Sequence, residues 1–137
     1  MIFVDTNILI DVLAADQEWK QWSRTKLLDL TAAGEILIVD TIVLSEIAGN
    51  FPDLDTAYAK LDTLDIEVVP IFDDIAFRAG QAFRQFRREH RGRSAILADF
   101  LVAGHAEAIG ARLLTRDRGS FSTYFPDLTL ITPESHP

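Results

Sequence analysis

The sequence predicts an α/β domain built on a mostly parallel sheet with helices on both faces. Three observations lead there. Short β-rich runs alternate with helical patterns along the chain, as they do when helices form the crossovers of a parallel sheet. The 137 residues fit one domain, because two would each be too small to bury a good core. A composition of 48% hydrophobic and 25% charged residues is that of a globular chain and too apolar for disorder.

The first strand, residues 2–5, is apolar through Ile2-Phe3-Val4 and ends in Asp5. Helical patterns follow at residues 7–14 and 18–33, and Gly34 is placed to stop the second. A strand at 35–39 leads to helices at 41–48 and 54–64, and a third strand covers 66–69. The helix predicted at 74–90 has Phe77, Phe83 and Phe86 as core contacts. Arg91-Gly92-Arg93 connects it to a helix at 95–109 with Ser94 as N-cap, and strands close the chain at 112–115 and 128–131. No internal repeat or low-complexity stretch interrupts the pattern. Residues 1–133 thus read as a single domain and 134–137 as a tail expected to fray.

Composition excludes several classes of function. With zero cysteines there is no disulfide framework, thiolate metal site or cysteine nucleophile, which fits a reducing compartment. No run approaches the ~20 apolar residues of a membrane span, and Met1-Ile2-Phe3-Val4-Asp5 lacks the basic start of a signal peptide. A soluble, cytoplasmic protein without membrane association is expected. The net charge of −8 argues against holding nucleic acid by the overall field. Six arginines nevertheless fall together, Arg78, Arg84, Arg87, Arg88, Arg91 and Arg93, against the single acid Glu89. That segment carries +5 and offers phosphates a place to sit, or else is a solvated helix end whose cations suit the C-terminal dipole. Trp19 and Trp22, three apart, read as core or interface anchors rather than base-stacking platforms.

Four acids carry the chemical signal. Ligands of open α/β sheets bind beyond the carboxyl ends of the strands, where Asp5 stands, although an N-cap role explains it too. Asp117 follows the strand at 112–115 in the same way, with a surface turn as the plainer alternative. Asp99 has Ala95, Ile96, Val102 and Ala103 at helical spacings of three and four, which places a carboxylate on an apolar face. Buried ionised acids need a partner, a proton or a metal. Glu46, among Ile42, Val43, Ile47 and Gly49, repeats the pattern, with an outward or capping role as its alternative.

These four acids have no obvious basic partner among their neighbours. Two like charges about 4 Å apart repel by about 4 kcal/mol at an effective dielectric near 20, so the cluster calls for protons or a cation. Oxygen ligands select a hard ion, Mg²⁺ or Mn²⁺, and His90, His105 and His136 at unrelated positions do not make a zinc site. Such an ion keeps positions open for water and phosphate oxygens, the requirement of phosphodiester cleavage.

In these motifs the sequence resembles PIN domains, and more narrowly the VapC toxins of toxin–antitoxin pairs. The resemblance spans residues 1–133. It rests on Val4-Asp5-Thr6-Asn7, Leu44-Ser45-Glu46, the Ala98-Asp99 helix ending at Gly110, and Leu114-Thr115-Arg116-Asp117, in that order and spacing. It implies a three-layer α/β/α sandwich and a type II toxin that hydrolyses RNA phosphodiester bonds with a carboxylate-held Mg²⁺ or Mn²⁺ and an activated water. It implies that Asp5, Glu46, Asp99 and Asp117 are catalytic, that Asp5, Asp99 and Asp117 ligate the metal, and that Asn7 and Thr115 orient the acids. It also implies an RNA substrate, a VapB-type antitoxin and a homodimer; Arg84, Arg87, Arg88 and Arg91, outward on the helix at 74–90, are the candidate RNA contacts of the charge reading above, not of the resemblance. Two positions depart from the family pattern: Phe121 stands four rather than three residues after Asp117, and Gly104 takes the place of a frequent alanine.

Other readings compete. A haloacid-dehalogenase phosphatase wants Asp-x-Asp after the first strand, but position 7 is Asn. A receiver domain wants its paired acids near strand one, and Asp73-Asp74 follow the wrong strand. No G-x-G-x-x-G, P-loop or G-x-S-x-G is present. A PIN nuclease of RNA processing outside a toxin–antitoxin pair, or a non-catalytic acidic interaction module, stays open.

Overall fold

The computed structural model describes residues 1–15, 18–92, 95–117 and 122–137. Within them run β1 (Ile2–Val4), α1 (Thr6–Leu13), α2 (Lys20–Ala32), β2 (Leu37–Asp40), α3 (Thr41–Ile47), α4 (Leu54–Thr63), β3 (Ile66–Val69), α5 (Asp73–Glu89), α6 (Leu97–Ala108), β4 (Arg112–Leu114) and β5 (Leu130–Ile131). The strands form one wholly parallel sheet in the order β3-β2-β1-β4-β5. The chain therefore builds outward from β1 on one side, then crosses back and builds outward on the other. The neighbours β1 and β4, with Ile2, Phe3 and Val4 opposite Arg112, Leu113 and Leu114, mark the point where the order reverses.

Successive residues of the central strands are all buried, Ile2-Phe3-Val4 and Leu37-Ile38-Val39 alike. Alternate side chains of a strand point to opposite faces, so both faces are covered. The result is the expected α/β/α sandwich. A second, aromatic cluster forms where α5 packs on α6, around Phe86, Phe100, Ala103 and Phe125. Gly104 explains itself here, because a Cβ at that position would lie 3.0 Å from Ala79 Cβ and 3.1 Å from Phe125 Cε1. The missing methyl group lets the two helices approach.

Gly34 ends α2 as expected, at φ +81°, with Gly34 N donating to Thr31 O and Glu35 N to Leu30 O. Three sequence expectations need correction. Phe77 is 70% exposed and not a core contact; on a 100° helix it lies opposite the buried Phe86. β2 begins at Leu37 instead of 35, since Glu35 pairs with the N-terminal ammonium at 2.8 Å and with Arg112, and the strand extends to Asp40. α6 begins at Leu97, with extended Ile96 at the cap position. Ser94, together with Arg93 and Phe121, lies outside the described residues. At the other end of the chain, Trp22 Nε1 donates to His136 O at 3.0 Å, and Trp19 meets the Trp22 ring edge to face. Among the described residues no helix is long and apolar enough to cross a membrane.

Candidate active site

The carboxyl ends of β1 and β4 meet at the reversal point, and the site is built across them. Asp5 leaves β1 in extended conformation and caps α1, its Oδ1 accepting from Thr6 N at 2.7 Å. The capping role foreseen as an alternative is real. It uses only one oxygen. Oδ2 accepts from Thr115 Oγ1 at 2.7 Å and from Asn7 Nδ2 at 3.1 Å. Thr115 follows β4 directly, and its buried hydroxyl also accepts from Asn7 Nδ2 at 3.1 Å and Asp117 N at 3.0 Å. Asn7 Oδ1 in turn accepts from Arg116 N at 3.1 Å. These bonds stitch the start of α1 to the loop after β4 and fix the Asp5 carboxyl group between them.

The other acids arrive from two helices and that loop. Glu46, near the end of α3, is exposed and accepts from Thr6 Oγ1 at 2.7 Å. Asp99 sits half-buried in the first turn of α6. Asp5, Glu46, Asp99 and Asp117 then line one open cleft of about 280 Å³ with Thr6, Asn7, Ile10 and Arg116. All four acids singled out in the sequence thus share a single wall.

Electrostatics sets this cleft apart. Burial, with smaller contributions from the Asp99 and Glu46 charges, pushes the Asp5 carboxyl up to about 6, against the hydrogen bonds from Thr115 and Thr6. Burial and then Glu46 and Asp117 raise Asp99 above the ordinary carboxylate range. Among the described residues no three acids or histidines are gathered tightly enough to cage an ion as they stand. The donors are all carboxylate oxygens under mutual repulsion. That donor set fits a hard divalent ion held by a few carboxylates and completed by water.

The arginine run divides in two. Arg84, Arg87, Arg88 and Arg91 line an open groove of about 440 Å³ along α5. Arg78 instead pairs with Glu107 at 2.8 Å and lies over the Phe125 ring.

Two buried acids escaped the sequence reading. Asp40, wholly buried at the end of β2, caps α3 through Ile42 N and Val43 N at 2.9 and 3.0 Å and meets His105 Nδ1 at 2.8 Å. The signal was available, since Leu37-Ile38-Val39-Asp40 repeats the apolar strand and terminal acid of β1. Asp11, also wholly buried, accepts from Ser23 Oγ at 2.6 Å and Arg116 Nε at 2.8 Å. Its position four after Asn7 and three after Ile8 put it on the inner side of α1.

Residues 2–125 match the PIN domain family. The chain belongs to that family. Its fold is similar to those of solved toxin–antitoxin proteins: VapBC2 from Rickettsia felis bound to a promoter DNA fragment (22% identity, 96% of this chain and 98% of that one, TM-score 0.69) and FitAcB from Neisseria gonorrhoeae (20%, all of both chains, 0.70). It is also similar to VapC20 from Mycobacterium tuberculosis, a Sarcin-Ricin loop cleaving toxin (19%, 90% and 94%, 0.59). No curated protein sequence matches it.

Proposed function

We propose that this PIN-domain protein is a Mg²⁺- or Mn²⁺-dependent endoribonuclease and the toxin of a type II toxin–antitoxin pair. The observation that carries the reading is the single cleft lined by Asp5, Glu46, Asp99 and Asp117, in which Asp5 and Asp99 hold their protons more tightly than ordinary carboxyls. Asp5, Asp99 and Asp117 are the residues that would hold the ion. When bound, it would neutralise the clustered charge and lower the pKa of water in the cleft. The chain's own part is positioning: Thr115 and Asn7 fix Asp5 through three-way hydrogen bonding, and Thr6 ties Glu46 to the start of α1. Glu46, the exposed member, is placed to take a proton from an attacking water.

Likeness to toxins found in antitoxin complexes, and to a toxin that cleaves the Sarcin-Ricin loop, supports the biological setting. In that setting the protein works in the cytoplasm as a homodimer, and its VapB-type partner silences it by placing a basic side chain among the acids. The purified chain is expected to cut single-stranded or looped RNA only with Mg²⁺ or Mn²⁺, and EDTA to stop it. Cleavage at the full rate in EDTA would overturn the mechanism. Expression alone is expected to arrest growth; unaffected growth with a soluble, RNA-cutting protein would remove the toxin assignment and keep the nuclease.

The groove along α5 is assigned to RNA phosphates. Replacing Arg84 and Arg88 with Ala should then weaken RNA binding and flatten its salt dependence, by a slope of roughly 0.7 per lost contact on single strands. An unchanged slope would leave these arginines as a solvated or partner-facing surface.

A further inference from the structure

Arg116 is the one cation on the wall of the four-acid cleft among the described residues, yet its Nε is not turned to any of those four acids. It reaches behind them to Asp11, which is wholly buried and accepts from Ser23 on the same oxygen. A desolvated carboxylate holds its cation strongly, because losing it would leave an uncompensated buried charge. Asp11 Oδ1 has no hydrogen-bond partner among the described residues, so Ser23 and Arg116 are the groups that satisfy this carboxylate. The guanidinium is thereby fixed through one of its five N–H donors, and the described residues make no hydrogen bond to the four on its terminal nitrogens. The Arg116 side chain is 29% exposed. It lines the acidic cleft on one side and, on the other, a smaller hollow with Trp19, Thr132, Pro133 and Glu134.

A polynucleotide entering a cleft of four carboxylates is repelled by them. A metal ion relieves part of that repulsion at the acids; a fixed guanidinium beside them relieves it along the backbone, with paired donors matched to phosphate oxygens. We propose that Arg116 is the cleft's contact for a backbone phosphate of single-stranded nucleic acid, oriented from behind by Asp11 and Ser23. The chain of the ligand then crosses the ridge between the two hollows that Arg116 separates. That the ligand is RNA rests on the nuclease reading above.

The test uses the full chain with a short fluorescein-labelled single-stranded RNA, titrated over a range of KCl concentrations in Ca²⁺ and in EDTA, beside cleavage kinetics in Mn²⁺. Arg116→Gln alone strands the buried acid and threatens folding, so Asp11→Asn/Arg116→Gln, which removes both charges at nearly constant shape, is measured with it. Arg116→Lys keeps charge and loses the fork. Both Gln variants should bind the RNA roughly tenfold more weakly, with the salt slope lower by about 0.7 and a raised KM. Arg116→Lys should keep the slope and recover part of the affinity. A folded double variant with wild-type slope and KM would show that Arg116 is only the counter-ion of Asp11. If the wild type binds RNA through Arg116 but cuts none with any metal, the nuclease reading falls and the phosphate contact stands. If it cuts RNA with a slope indifferent to position 116, the reverse holds. A wild type that binds no RNA overturns both.

Discussion

Asp99→Asn should lower RNA cleavage by more than about a hundredfold and leave the metal-free protein at least as stable as its parent at pH 8. The loss follows if Asp99 is a metal ligand in the cleft, since the amide keeps the shape and gives up the charge. The stability follows from repulsion. Asp5 titrates at about 6 in the folded protein against an ordinary 3.8, and Asp99 is shifted the same way. A carboxyl raised on folding stabilises the native state fully below its unfolded pKa, near pH 4, and that contribution is lost as pH rises through about 6. For Asp5 it is at most about 3 kcal/mol, and burial is its largest source. Taking away the Asp99 charge should therefore return only a minor part of that at pH 8, and less still as pH falls toward 4, where the folded state holds Asp5 and Asp99 protonated. Added Mn²⁺ should raise the melting temperature of the parent more than that of the variant, because ligand stabilisation follows affinity. Thermal melts at pH 5 and pH 8, in EDTA and in Mn²⁺, read all of this together. A variant clearly less stable than the parent in EDTA at pH 8 would make Asp99 a paired structural acid instead.

The largest stability loss is expected next door, at Phe100→Ala. Phe100 is fully buried and its ring meets those of Phe83, Phe86, Tyr124 and Phe125 at centroid distances of 5.4, 5.3, 5.8 and 5.8 Å. Four rigid rings close poorly around a void, so the change should cost about 3–5 kcal/mol and lower the melting temperature by roughly 10–20 °C. Phe100→Leu should cost less than half as much. The cluster holds α6 against α5, and α6 carries Asp99 in its first turn. Metal affinity should accordingly drop in the Ala variant even where it is still folded. Denaturant unfolding measures the first effect; a cost under about 1 kcal/mol would mean that the cluster collapses into the space.

How much of this was legible beforehand depended on how local the cause was. Asp5 and Asp117 could be read because an apolar strand followed by an acid is a signal contained in a few residues, and Asp99 because its helical neighbours are apolar. The bond between Asp40 and His105 joins residues 65 apart in sequence. The ion pair of Asp11 and Arg116 spans 105. Both depend on β4 returning to lie beside β1, and alternating strands and helices do not dictate strand order. Phe77 shows a different failure. Grouping it with Phe83 and Phe86 followed residue type, whereas the 100° step of the helix turns it away from the other two.

The strand order also sets a schedule. β1 is synthesised first, and its edge toward β4 stays unpaired until residues 112–114 have been made. In the interval β3, β2 and β1 can already pair, which leaves Ile2-Phe3-Val4 as an open apolar edge of the kind that recruits other strands. Asp117 is then also missing from the cleft. The nascent chain is consequently at its stickiest while it is still chemically incomplete, and a chain cut short before β4 would aggregate without ever assembling the four acids. The step that covers the free edge of β1 is the step that brings the last acid to the site.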